Sequence, residues 1–194
     1  LHVVKDIDVR ITISDRNKLE LFQLYDRNKL SDFKGRIYVI PNRSSFKAID
    51  ESLLNNKFKS QKVLKVAWVG RNSKEKRIGV FIDVARKLCG QVSHFQFNVI
   101  SDVVPDFDDL RSVVSYSGYI NDDSAMQEFL ADQHILLITS YREGLPLVYA
   151  EAISQGVVVI STCDWKRDFK IFFDDVDHKT PYTAFSLKDL LLRY

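Results

Sequence analysis

The sequence predicts an α/β protein built on a doubly wound parallel sheet, and three observations carry that prediction. From Lys62 onward, short apolar runs rich in β-branched residues alternate with stretches of helical spacing. The later runs, ILLIT at 135–139 and VVVIS at 157–161, are continuous rather than alternating. Strands of that kind are buried on both faces, as in a parallel sheet covered by helices. Polar, glycine-bearing segments follow two of the strands, at the sheet end where open α/β sheets bind ligands.

Taken in order, residues 7–14 read as a strand, 15–28 as a polar-faced helix and 36–40 as a second strand, which Pro41-Asn42 ends sharply. Residues 43–61 are polar, rich in Ser, Asn and Lys and weakly periodic, so they are expected to form a linker. Beyond it come strands at 63–69, 95–101, 135–140 and 157–162. Residues 77–88 place Ile78, Phe81, Ile82, Ala85 and Leu88 at helical spacing, and 124–131 do the same with Ala125, Met126, Phe129 and Leu130. A helix over 146–155 begins at Pro146 and stops at Gly156, the asymmetry favoured at helix ends. The expected organisation is therefore the tail of one α/β domain over 1–42, a linker over 43–61 and a fuller α/β domain over 62–194. Trp68, inside an apolar strand, is expected in the core.

Composition narrows the function. The chain has 194 residues, 45% hydrophobic and 28% charged, the balance of a folded domain. A net charge of +2 gives no bulk attraction to nucleic acid. Cys89 and Cys163 have no CxxC spacing, and the four histidines are scattered, so neither a disulfide framework nor a zinc site is expected. No apolar run approaches the roughly 20 residues that span a bilayer, and the first residues lack a signal-peptide layout. A cytoplasmic protein is the expectation.

Two segments could carry chemistry. Glu143-Gly144-Leu145-Pro146-Leu147-Val148-Tyr149-Ala150-Glu151-Ala152 follows a buried strand and opens a helix. Gly144 allows close backbone approach, and the helix start offers unpaired N–H groups. Glu151 lies among apolar neighbours, where a carboxylate is costly unless a polar partner meets it. The bland alternative makes Glu143 a solvated loop residue and Glu151 a surface one. Gly70-Arg71-Asn72-Ser73-Lys74-Glu75-Lys76-Arg77 also follows a strand and holds four cations in seven residues, a plausible diphosphate clamp or else a solvated basic loop. It has neither the P-loop pattern nor GxGxxG.

Together these segments resemble glycosyltransferase family four, a group of GT-B enzymes. Gly70-Arg71 followed by Lys76 is similar to that family's VGR…K element, and Glu143 with Glu151 matches its E-x7-E signature. Ile40-Pro41-Asn42 stands where the family has VIPN, Gly118-Tyr119-Ile120 where it has a G-x-V strand, and Ala131-Asp132 precedes a strand as in its "aDv" element. The resemblance implies a Rossmann-like GT-B C-terminal domain preceded by a fragment of a second α/β domain. It implies catalytic roles for Glu143, Arg71 and Lys76, with the two cations neutralising a departing diphosphate and Glu143 holding hydroxyls of the transferred sugar. Gly70, Gly144, Leu145, Pro146, Leu147, Glu151, Tyr119 and Ile120 would bind the donor, with Glu151 on the ribose hydroxyls and Tyr119 and Ile120 at the base.

By the same resemblance the activity is retaining transfer of a hexose from a nucleotide sugar, a UDP-sugar by preference, to a glycan or lipid-linked acceptor, with no cofactor and no metal. The acceptor-binding half would lie outside this chain, which alone is expected to be inactive. Any peripheral association with the inner face of a membrane would run through that half. Two other readings are a degenerate nucleotide-sugar-binding domain and a sugar-nucleotide epimerase of the same fold. Three departures from the family bear on specificity: Arg77 where glycine is usual, Ser101-Asp102 in place of a glycine-bearing turn, and Cys163-Asp164-Trp165-Lys166 where a glycine pair is usual.

Overall fold

A computed structural model describes residues 7–42, 44–59, 62–89, 94–104 and 108–163, and the backbone of 185–186. The chain forms two compact units. In the described residues the first comprises 7–42 with 144–147, and the second comprises 44–143 and 148–163 with 185–186.

In the first unit, β1 (Arg10–Thr12) and β2 (Ile37–Val39) pair in parallel, with α1 (Asp15–Arg27) between them. Ser14 starts α1 by accepting the Asn17 amide at 3.1 Å, satisfying one of the donors a helix start leaves open. At the other end Lys29 is left-handed (φ 55°), while Leu30 N–H donates to Tyr25 O at 2.8 Å and Lys29 N–H to Asp26 O at 3.2 Å. This is a Schellman closure with lysine where glycine is usual. Tyr25 and Ile37 form the small core, flanked by Leu21, Phe22, Leu30 and Phe33. The segment Gly144–Leu147 belongs to this unit: Asn42 Nδ2 donates to Leu145 O at 3.3 Å. A Cβ on Gly144 would lie 2.7 Å from Asn17 Oδ1 and 2.9 Å from Ile13 Cδ1. What crowds this glycine is the protein's own side chains.

The second unit is a six-stranded, wholly parallel sheet. Its strands are β3 (Leu64–Val69), β4 (Phe95–Ile100), β5 (Val114–Tyr116), β6 (Ile135–Ile138), β7 (Val158–Ser161) and β8 (Phe185–Ser186), in the order β5-β4-β3-β6-β7-β8. The chain steps outward from β3 to β4 and β5, then crosses back to place β6 on the other side of β3. That reversal is the topological switch point of a doubly wound sheet. The β3–β6 ladder pairs Val66 with Ile135 and Ala67 with Leu136, towards the amino ends of both strands. Near the carboxyl ends side chains take over, and the Trp68 indole N–H donates to Thr139 Oγ1 at 3.0 Å.

The core confirms why these runs became strands. Val66, Trp68, Phe97, Val99, Val114 and Leu137 pack with Ile78, Phe81, Ile82 and Ala85 of α3 (Ile78–Cys89). Phe81 meets Phe97 edge-on at 5.7 Å, a favoured aromatic geometry. Trp68 is in the core, as the sequence predicts. Two further helices, α4 (Asp123–Ala131) and α5 (Leu147–Ser154), precede β6 and β7. Asp122 caps α4 by accepting the Ala125 amide at 2.8 Å. β5 was not among the expected strands. Gly118-Tyr119-Ile120, expected as a strand, is instead a loop after β5, with Gly118 at φ 72°.

Residues 44–59, read from sequence as a linker, belong to the second unit and carry α2 (Glu51–Asn56). Gln155 Nε2 and Gln127 Nε2 donate to Lys47 O at 2.7 and 3.2 Å, and Ile49 N–H donates to Ser154 O at 2.8 Å. The Lys57 ammonium donates to Gln155 O at 2.6 Å, and burial pushes its pKa down to about 8. Gly156 completes this junction. It is left-handed (φ 67°) and closes α5 with Gly156 N–H on Ile153 O and Val157 N–H on Ala152 O. A Cβ there would come within 2.3 Å of Leu54 Cδ1.

Replacing Gly156 by alanine combines left-handed strain with that collision. The variant is expected to lose about 1–2 kcal/mol of stability, or several degrees of Tm, as measured by thermal denaturation.

Candidate functional site

Two loops leave the sheet at the switch point, one after β3 (residues 70–77) and one after β6 (139–143). The first begins at Gly70, whose N–H extends the β3–β4 ladder to Ile100 O at 3.1 Å. Its backbone is not left-handed; glycine is needed for space. A Cβ would lie 3.2 Å from the ring of Trp68 and 3.6 Å from Lys76 Cδ. The loop then turns on itself, Lys76 N–H donating to Ser73 O at 3.1 Å. At its far edge Asp102 accepts the Asn72 amide at 2.7 Å. That bond holds the Asp102 carboxyl below the usual carboxylate range, with smaller help from the Ser101 hydroxyl and the Arg71 guanidinium.

The second loop is tied to the first at several points. Tyr141 N–H donates to Glu75 O at 2.7 Å. The Thr139 hydroxyl donates to Lys76 O at 2.7 Å while accepting from Trp68. Lys76 Nζ donates to Glu143 Oε1, and Ser140 Oγ donates to the same oxygen at 2.5 Å. Only 12% of the Glu143 side chain is exposed, so the lysine and serine are what make a carboxylate tolerable there. The pair is not saturated. An ammonium has three donors and a carboxylate has two oxygens, so capacity remains for a ligand.

The structure thus brings Lys76 and Glu143 into direct contact, with Gly70 alongside. Arg71 lies on the same loop with an exposed side chain. Glu151 stands on α5, half-buried, its pKa raised by burial and secondarily by Asp123. It is not part of the Lys76–Glu143 pair. Tyr119 is 69% exposed and Ile120 half-buried in the loop after β5. Leu145 is buried and Leu147 exposed, and with Gly144 and Pro146 they lie in the first unit. Trp165 falls outside the described residues. Sequence reasoning missed Thr139 and Ser140, which carry no distinguishing sequence signal, and the buttress at Asp102.

Comparison with known proteins bears on the family and the fold. The family described as Glycosyl transferases group 1 matches residues 64–169. That is more than half of the chain, and the chain belongs to this family. No curated protein sequence matches it. Among solved structures, an S. aureus TarM mutant in complex with Fondaparinux, alpha-GlcNAc-glycerol and UDP aligns with a TM-score of 0.69 at 20% identity, over 98% of this chain and 36% of that one. The catalytic domain of starch synthase IV from Arabidopsis thaliana, bound to ADP and acarbose, aligns at 0.64 and 15% identity, over 92% and 44%. The pneumococcal O-GlcNAc transferase GtfA, in complex with UDP and GlcNAc, aligns at 0.63 and 19%, over 81% and 30%. At these identities the likeness establishes the GT-B, Rossmann-like fold. The chain spans between 30% and 44% of the length of these structures. Among the described residues no helix is long and apolar enough to cross a membrane.

Glu151 supplies a pH prediction. Its pKa is raised from 4.5 in the fold, so the folded state favours the protonated form. Its contribution to stability is full below pH 4.5 and is lost as pH rises through the folded value. Glu151→Gln is therefore expected to be more stable than wild type at pH 7, with the gain vanishing below pH 4.5 in urea melts at both pH values.

Proposed function

We propose that this chain is the donor-binding portion of a retaining glycosyltransferase, which moves a hexose from a nucleotide sugar, by preference a UDP-sugar, to a glycan or lipid-linked acceptor. One observation carries the reading: a lysine and a glutamate from separate loops meet at the switch point of a doubly wound sheet, where such folds bind nucleotides. The family match supports it, as do the UDP and ADP named with the structures that share the fold.

In this proposal, charge grows on the diphosphate oxygen as the bond to the sugar's anomeric carbon breaks. Lys76 and Arg71 are the cations that meet it, and because Lys76 is already held by Glu143, little reorganisation is needed at the moment of reaction. Glu143 accepts hydrogen bonds from sugar hydroxyls through its remaining lone pairs. Glu151, made costly by burial, is offset by ribose hydroxyls, and Tyr119 and Ile120 lie along the base. No cofactor or metal enters the reaction in this proposal. Groups that read the acceptor belong to the part of the enzyme outside this chain.

In the intact polypeptide, Glu143→Ala is expected to lower kcat/KM for sugar transfer by about 100-fold or more. Calorimetry with UDP should show that the variant still binds nucleotide. Unchanged turnover would remove Glu143 from the mechanism, and wild-type protein that binds no nucleoside diphosphate would defeat the donor-site reading.

A further inference from the structure

Arg77 occupies a conformation that a side chain rarely adopts. Its φ is +51°, in the left-handed region that favours glycine. Two of its three guanidinium nitrogens are hydrogen-bonded. Nε donates to Thr139 O at 2.7 Å, and one terminal nitrogen donates to Thr162 Oγ1 at 3.1 Å and towards Ser140 O at 3.4 Å. The ring of Tyr141 lies 5.9 Å from the guanidinium carbon, within cation–π range. Thr162 Oγ1 in turn donates to Ser140 O at 2.6 Å, and Cys163 Sγ approaches the same carbonyl at 3.3 Å. One side chain therefore fastens the carboxyl ends of β6 and β7 to the loop after β3.

What it fastens is the start of the turn that carries Glu143. Ser140, whose carbonyl lies in this cluster, uses its own hydroxyl to hold Glu143 Oε1. Lys76, the residue before Arg77, holds the same oxygen. We propose that Arg77 is a positioning residue: it locks the backbone at 139–140 and so fixes where the Glu143 carboxylate stands at the crevice. The planar fork of arginine suits this task, since it reaches two carbonyls and a hydroxyl at once, which a lysine ammonium on a flexible stem does less well. The effect on transfer rests on the donor-site reading above; the effect on the backbone does not.

The test uses Arg77→Gly and Arg77→Asn, both tolerant of a left-handed backbone, and Arg77→Lys, which keeps the charge without the fork. Hydrogen exchange on the intact polypeptide without nucleotide is the first readout. Amides over 140–144 are expected to exchange about tenfold faster in all three variants, with β3 and β6 protected as in wild type. Unchanged exchange over 140–144, acceleration spread equally through β3 and β6, or wild-type behaviour of Arg77→Lys would overturn the assignment. In steady-state transfer from UDP-glucose, or whichever UDP-sugar wild type turns over, kcat is expected to fall about tenfold with the donor KM within about threefold. Wild-type kcat in Arg77→Asn would likewise overturn it. If wild type transfers no sugar at all, the donor reading fails, and the exchange measurement still decides whether Arg77 sets the turn.

Discussion

A parallel sheet whose chain winds first one way and then the other cannot close over its own reversal. Beyond the carboxyl ends of β3 and β6 the two following segments leave in different directions, and the backbone ladder between these strands pairs only Val66 with Ile135 and Ala67 with Leu136. Everything else at the candidate site answers that constraint. Trp68 and Thr139 join the strand ends through side chains, Tyr141 N–H reaches Glu75 O, and Lys76 meets Glu143. Loops that would otherwise be free to separate are sewn together by a few polar groups, and those groups are what a charged ligand would encounter.

Burial explains the charge pattern. A glutamate as enclosed as Glu143 is tolerable because an ammonium and a hydroxyl share one of its oxygens. Glu151 lies in a different setting, where burial and Asp123 both oppose ionisation. Two carboxylates with seven residues between them thus carry opposite burdens, one compensated and one not.

Much of the second unit was legible in the sequence because its strands are buried on both faces, and uninterrupted apolar runs such as 135–138 leave little ambiguity. β5 escaped because it is three residues long, with only Val114 buried. The helix cap at Gly156 was legible from glycine alone, but its second role against Leu54 was not, since that contact spans a hundred residues of chain. The segment over 44–59 looked like a linker because the hydrogen bonds made at Lys47, Ile49 and Lys57 leave no trace in hydrophobic periodicity. Lys76 and Glu143 could be singled out by motif. Their partners Ser140 and Thr139 could not, because a hydroxyl at the end of a strand is too common to signal anything. Arg77 was visible only as a residue out of place.

The bond between the Trp68 indole and Thr139 has an optical consequence. Indole emission responds to the polarity and hydrogen bonding around the ring, and this ring is buried with its N–H donated to a hydroxyl that itself donates to Lys76 O. Movement of either loop at the crevice would alter that local field. The chain therefore carries an intrinsic fluorophore beside the loops that follow β3 and β6, able to register events at the sheet's rim without any attached label.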